Sequence, residues 1–203
     1  MGMIKTDSRA VVDQHFLAQD ERPAALAEVE IETLDPFLRG LLFTDGTVTR
    51  ALAVQTLSAV VVERVDQEWV PVSADAAAHL EVEAGEESVR RRVRIGFDAG
   101  APLLWAESHL LPERLPPGFM GLLDGAPDGI GQSLQRVALE SYRELLWLGH
   151  DAAPDWAEPG AANAGTIRRL YRIVSGGQVG ILISESFAVE ERDGVVRLAV
   201  GAP

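Results

Sequence analysis

Residues 168–187 read RRLYRIVSGGQVGILISESF. On either side of Gly176-Gly177, the segments Ile167 to Val174 and Gln178 to Val189 are rich in apolar and β-branched residues, and the glycine pair is a two-residue hairpin signal. Two antiparallel strands are expected. Along the second, alternation places Val179, Ile181, Ile183, Glu185 and Phe187 on one side and Gly180, Leu182, Ser184 and Ser186 on the other. One carboxylate thus shares the more apolar side. Taking a carboxylate out of water is costly unless it is protonated or paired with a cationic donor, so an inward Glu185 suits an active site. Near a strand end the same side chain would reach water, and the pattern alone leaves both readings open.

Outward from this hairpin, Asp193-Gly194 marks a further turn and Val195 to Val200 a possible edge strand. Upstream, Val89 to Phe97 and Pro102 to Leu111 read as another hairpin, turning at Asp98, Ala99 and Gly100. Valine-rich Ser58 to Val65 and Trp69 to Val72, separated by Asp66, Gln67 and Glu68, read as two more antiparallel strands. Helices are expected between these groups. Leu34 to Val54 reads as helix, loop, helix, broken at Asp45-Gly46 with Thr47 as the second cap, and a short helix covers Asp75 to Leu80. Ile130, Leu134, Val137, Leu145 and Leu148 fit one face of a helix from Ile130 to Leu148. Gly149 to Gly165 is a long loop of Ala, Gly, Pro, Asp and Asn. Hairpins separated by helices indicate an α+β fold, a single antiparallel β-sheet with helices packed against it. We divide the chain into a polar N-terminal segment, residues 1–30, with a loosely docked helix; a main domain, 31–189; and a C-terminal extension, 190–203.

Composition narrows the function. The 203 residues are 47% apolar, include no cysteine and carry a formal net charge of -13. This length can bury a sizeable core unaided. Thiol nucleophiles, disulfides and cysteine zinc sites are excluded, which suits a reducing, cytoplasmic setting. The acidic excess disfavours nucleic acid and anionic membrane surfaces as partners, and no apolar run approaches the roughly 18 residues of a membrane helix. His15, His79, His109 and His150 lack metal-ligand spacing, so no metal is expected. There is no Walker loop, dinucleotide fingerprint or GxSxG elbow.

One basic run stands out in this acidic chain. Strand alternation sends Arg90, Arg92 and Arg94 to one face and leaves Val89, Arg91, Val93 and Ile95 on the other. Aligned guanidinium groups suit a small anionic ligand, since arginine grips carboxylates bidentately. A solvated face pairing with surface acids fits the same pattern.

LDPFLRGLLFTDGTVTRAL (34–52), VRRRVRIGFDAGAPLLWAESHLLP (89–112), GIGQSLQRVALESYREL (129–145) and RRLYRIVSGGQVGILISESF, in that order, resemble the chorismate pyruvate-lyase family of the UbiC type. The resemblance spans about residues 31 to 189. The middle stretch is also similar to the UTRA effector-binding domain of GntR-type regulators, although residues 1–30 are too short and too poor in basic residues to supply a DNA-reading module. The resemblance implies a chorismate lyase/UTRA-like fold with a ligand site beneath helical flaps, and cofactor-independent cleavage of chorismate to 4-hydroxybenzoate and pyruvate. Carried over by position, the substrate-carboxylate arginine falls on Arg92, counted back from Gly100, and the essential acidic residue on Glu185. A backbone amide meeting the aromatic carboxylate falls near Ile130 and Gly131. Thr49 and Arg50 match a segment that supports the flap. The extension after Phe187 departs from the family pattern. A lyase acting on aminodeoxychorismate, one making another hydroxybenzoate, or a non-catalytic small-acid-binding protein are the alternatives.

Overall fold

The computed structural model describes residues 7–98, 100–125, 129–158, 161 and 165–200. Among these residues seven antiparallel strands form the sheet: β1 (Val60–Pro71), β2 (Glu87–Phe97), β3 (Pro102–Leu110), β4 (Tyr142–Ala152), β5 (Gly165–Ser175), β6 (Gln178–Arg192) and β7 (Val195–Leu198). Their spatial order is β1-β2-β3-β6-β5-β4, with β7 added beside the far end of β6. Helices α1 (Ser8–His15), α2 (Pro36–Phe43), α3 (Val48–Thr56), α5 (Phe119–Gly125) and α6 (Ile130–Arg136) supply apolar side chains to a core shared with one sheet face, while α4 (Ala74–Leu80) contributes to a smaller cluster with the other.

The two glycine-bearing turns have the backbone that their sequences call for. Gly176 and Gly177 both have positive φ, as do Asp193 and Gly194, the combination that matches the twist of flanking strands. The β2–β3 hairpin also forms; of its turn residues, Ala99 lies outside the described set. Helix, loop, helix describes residues 36–56. Asp35 caps α2 by accepting from the Phe37 and Leu38 amides, with Pro36 in the first turn where its missing N–H costs nothing.

Two expectations are corrected. Ser58 to Val65 and Trp69 to Val72 are not a hairpin: Val60–Pro71 is one strand, paired along β2 with a bulge between Arg64 and Asp66. Asp66, Gln67 and Glu68 are not turn residues but sit opposite Arg92, Arg91 and Arg90 in the ladder, where charge complementarity holds polar residues in a strand. The helix over 130–148 is not one element either. It stops at Arg136, the chain turns through Ala138 at φ 51°, and Tyr142–Ala152 is β4, so the long loop starts only after Ala152. Leu145, Leu146, Trp147 and Leu148 are all buried because the sheet is covered on both faces there, and such a continuous apolar run has no period of its own to separate strand from helix.

The N-terminal segment is tied to the same core: Val12 and Phe16 are buried in it, and the Leu17 and Ala18 amides donate to the carbonyls of Leu145 and Leu146. At the other end, the Val196 carbonyl accepts from the Asp35 amide, so β7 steadies the entry to α2.

Candidate functional site

Alternation along four central strands builds the floor of the site. Val93 on β2, Ala106 on β3, Glu185 on β6 and Arg169 on β5 form one row of register partners; Arg91, Ser108, Ile183 and Tyr171 form the next cavity-facing row. The rows face the helical layer. Thr47 and Thr49, at the start of α3, and Ile130 and Gly131, at the start of α6, close the space above. The hollow measures about 600 Å³ including its mouth, and its walls include Val62, Ile95 and Ile173.

Glu185 is 5% exposed, and its cationic partner is Arg169, which is wholly buried. Arg169 Nε lies 2.9 Å and Nη2 2.7 Å from Glu185 Oε2, and Tyr171 Oη donates to Oε1 at 3.1 Å. Burial, followed by the neighbouring Glu185 charge, pushes the Tyr171 phenol up, so it remains a donor. Arg169 also reaches the flap: Nη1 donates to the carbonyls of Leu41, Leu42 and Thr44 at 2.7, 3.0 and 3.1 Å. These are carbonyls at the end of α2 that lack partners within the helix. One guanidinium therefore fixes both the acidic group and the helix above it.

Glu185, Ile130 and Gly131 line the same hollow. Arg92 does not. Being one residue out of step with Arg91, it projects from the opposite face of the sheet, where Nε donates to Glu107 at 2.6 Å and the guanidinium stacks 5.4 Å from the centre of the Trp156 ring. Arg90 and Arg94 share that face and pair with Glu68 and Glu63. At these three positions the basic run pairs with carboxylates on the outer face. The arginine that enters the cavity is Arg91, 4% exposed, with Nη1 donating to Gln67 at 2.8 Å. Burial is the main influence and lowers its pKa, though a guanidinium keeps its charge.

Counted back from Gly100, the assignment falls on a side chain that leaves this cavity, and strand period makes a step of one residue a change of face. The alternation itself set Arg91, not Arg92, on the face with Val89, Val93 and Ile95. Arg169 and Tyr171 were legible in the same way, sharing a face of β5 with Ile167 and Ile173. Arg143, another cavity residue, was hidden by the helical reading of β4. Thr49 is buried at the cavity wall with an unbonded hydroxyl, whereas Arg50 is exposed and donates to Gln135.

A family model described as "Chorismate pyruvate-lyase Rv2949c-like" matches residues 42–192. The chain belongs to this family. A chorismate pyruvate-lyase of Mycobacterium leprae is 30% identical over 167 residues, covering 80% of this chain and 79% of the relative. One from Mycobacterium tuberculosis H37Rv is 29% identical over 170 residues, covering 80% and 84%. Among solved structures, the effector domain of PhnF from Mycobacterium smegmatis superposes with a TM-score of 0.55 at 15% identity, covering 78% of this chain and 96% of that one. A ligand-binding domain of a GntR-family regulator from Bordetella bronchiseptica gives 0.51 at 13% identity, covering 72% and 90%. At those identities the likeness concerns the fold, which is the UTRA-like α+β architecture. The family is one of carbon–oxygen lyases, and Arg91, Ile130, Gly131 and Glu185 all lie within its matched span.

Proposed function

We propose that this chain splits chorismate into 4-hydroxybenzoate and pyruvate without a cofactor, and that Arg91, not Arg92, holds the ring carboxylate. The observation that carries the reading is the juxtaposition, in one largely apolar hollow, of a buried arginine lacking an acidic partner among the described residues and a glutamate already held by Arg169 and Tyr171.

Chorismate carries its enolpyruvyl ether beside a ring carbon bearing both hydrogen and hydroxyl. Breaking the ring carbon–oxygen bond sends its electron pair to the enolpyruvate oxygen; loss of the neighbouring ring hydrogen, as a proton, supplies the pair that completes the aromatic ring. The enolpyruvate methylene then takes up a proton to become pyruvate. Aromatisation drives the reaction downhill, so the protein's task is to hold a reactive conformer and to stabilise charge on the departing oxygen.

In this reading Arg91 and the first-turn amides near Ile130 and Gly131 grip the ring carboxylate. Glu185 has Oε2 occupied by Arg169, leaving a lone pair on Oε1 to accept from the ring hydroxyl. It positions the ring and need not itself carry the proton. Burial of Arg91, Glu185 and Arg169 lowers the local dielectric and strengthens each of these contacts.

The test is to incubate purified protein with chorismate and, separately, with aminodeoxychorismate, and to follow pyruvate and the aromatic product by chromatography. Pyruvate and 4-hydroxybenzoate in equal amounts from chorismate are expected. Turnover of aminodeoxychorismate alone, or a different hydroxybenzoate, would replace the substrate or product assignment; saturable binding with no turnover would make the chain a small-acid-binding protein.

A further inference from the structure

Arg143 stands at the far wall of the same cavity. It is carried by β4, while Arg91 is on β2; the strand order β2-β3-β6-β5-β4 puts the Glu185–Arg169 floor between them. Arg143 Nη1 donates to the Asp45 carbonyl of the α2–α3 loop at 2.6 Å, which steers the guanidinium, but its Nε is buried without a partner. Nη2 lies near Gly131: a Cβ built there would be 3.3 Å from it and 3.0 Å from Thr47 Oγ1, so the absence of a side chain lets this nitrogen reach the lining.

Position rather than charge pairing alone singles this arginine out: among the described residues Arg39 and Arg114 also lack a carboxylate but spend their donors on backbone carbonyls, whereas Arg143 and Arg91 line the hollow. With 31 acidic residues against 18 basic ones, arginines on the outer face have carboxylates at hand: Arg92 pairs with Glu107, Arg168 with Asp151 and Arg172 with Glu144. Neither Arg91 nor Arg143 has an ion-pair partner among the described residues. A buried guanidinium nitrogen with nothing to donate to is costly, and the group best able to satisfy it is a carboxylate. Two such cations on opposite walls call for a ligand with two carboxylates held apart by a ring.

We propose that Arg143 seats the second carboxylate of the substrate, the one on the departing enolpyruvyl arm, and so makes the cavity selective for ring dicarboxylates over monocarboxylates. The inference rests on the proposed function for the identity of that arm, but not for the selectivity itself. Arg91 holds the end of the molecule that stays aromatic; Arg143 holds the end that leaves. After cleavage the aromatic product keeps only the first contact, which favours its release once pyruvate has gone.

Binding separates this from turnover. 3-(Carboxymethoxy)benzoate has a carboxylate on the ring and another on an ether arm meta to it, and cannot undergo the elimination. By calorimetry the native chain is expected to bind it at least tenfold more tightly than 4-hydroxybenzoate. Arg143→Met should erase that preference while leaving 4-hydroxybenzoate affinity within about threefold, Arg143→Lys should restore part of it, and Arg91→Met should weaken both ligands. In kinetics, Arg143→Met should raise KM for chorismate about 10- to 100-fold, the usual range for a lost charged hydrogen bond.

Equal loss of both ligands in Arg143→Met, with thermal stability unchanged, would overturn the proposal, because the residue would then only support the loop at Asp45. So would an undiminished preference. A native chain showing the Arg143-dependent preference without turning over chorismate would sink the lyase assignment and leave the selectivity standing; turnover without that preference would do the reverse.

Discussion

At the scale of single residues, one step along β2 decides whether an arginine enters the cavity beside Glu185 or pairs with Glu107 on the opposite face. Arg91→Ala should lower kcat/KM for chorismate about 10- to 100-fold, from the loss of one or two charge-assisted hydrogen bonds. Arg92→Ala should leave it within about threefold, since its partners Glu107 and Trp156 lie across the sheet. Similar losses in both variants would remove the distinction. Glu107 carries a second prediction. Burial pushes its carboxyl up, but the His109 ring nitrogen 3.8 Å away and Arg92 at 2.6 Å outweigh that and hold it at about 2. A carboxyl depressed on folding contributes stability that is present above its unfolded value near 4.3 and lost as pH falls toward about 2. Urea denaturation across pH 5 to 2 should therefore show a steeper loss in the native chain than in Glu107→Gln; parallel curves would contradict the assignment.

At the scale of elements, the hairpins were legible in the sequence because their signals are local. Gly176-Gly177 and Asp193-Gly194 need positive φ, and the flanking strands alternate or carry β-branched residues. Helices α2 and α3 were legible from the break at Asp45-Gly46 and from Thr47, which does precede α3 although its side chain makes no capping bond. Residues 142–152 were not: Leu145, Leu146, Trp147 and Leu148 fit a buried strand and a buried helix equally, and the partner that decides between them is β5, reached only after the intervening loop. The end of α3 offers a test of local strain. Leu57 closes it with φ 53° while 91% exposed, so its side chain gains little and its backbone occupies a region that favours glycine. Leu57→Gly should stabilise the protein by about 0.5–1 kcal/mol in urea unfolding, the αL relief being partly offset by glycine's greater unfolded-state entropy. A loss of stability would show that this turn is held by something other than its own backbone.

At the scale of the whole molecule, Arg169 joins parts of the chain more than 120 residues apart: the end of α2, its own strand β5, and Glu185 on β6. Removing one member of a buried pair leaves an uncompensated charge, so Arg169→Met should cost about 3–5 kcal/mol. Glu185→Met with Arg169→Met should recover much of that loss without recovering activity, because no charge is then stranded and the ring-hydroxyl acceptor is gone. If the double variant is no more stable than Arg169→Met alone, the loss does not come from a stranded Glu185 charge.

By itself the sequence determined the fold class, the central hairpins, the acidic character of the chain and the presence of Glu185 on an apolar strand face, because turn chemistry and two-residue alternation are properties of neighbours. The tertiary structure decided the partners: that Glu185 meets Arg169 and Tyr171, that Arg91 faces it while Arg92 turns away, and that Arg143 closes the opposite wall. Those relations depend on strand order and register, which bring distant residues together through sheet pairing, and a one-residue step in register exchanges the buried face for the outer one.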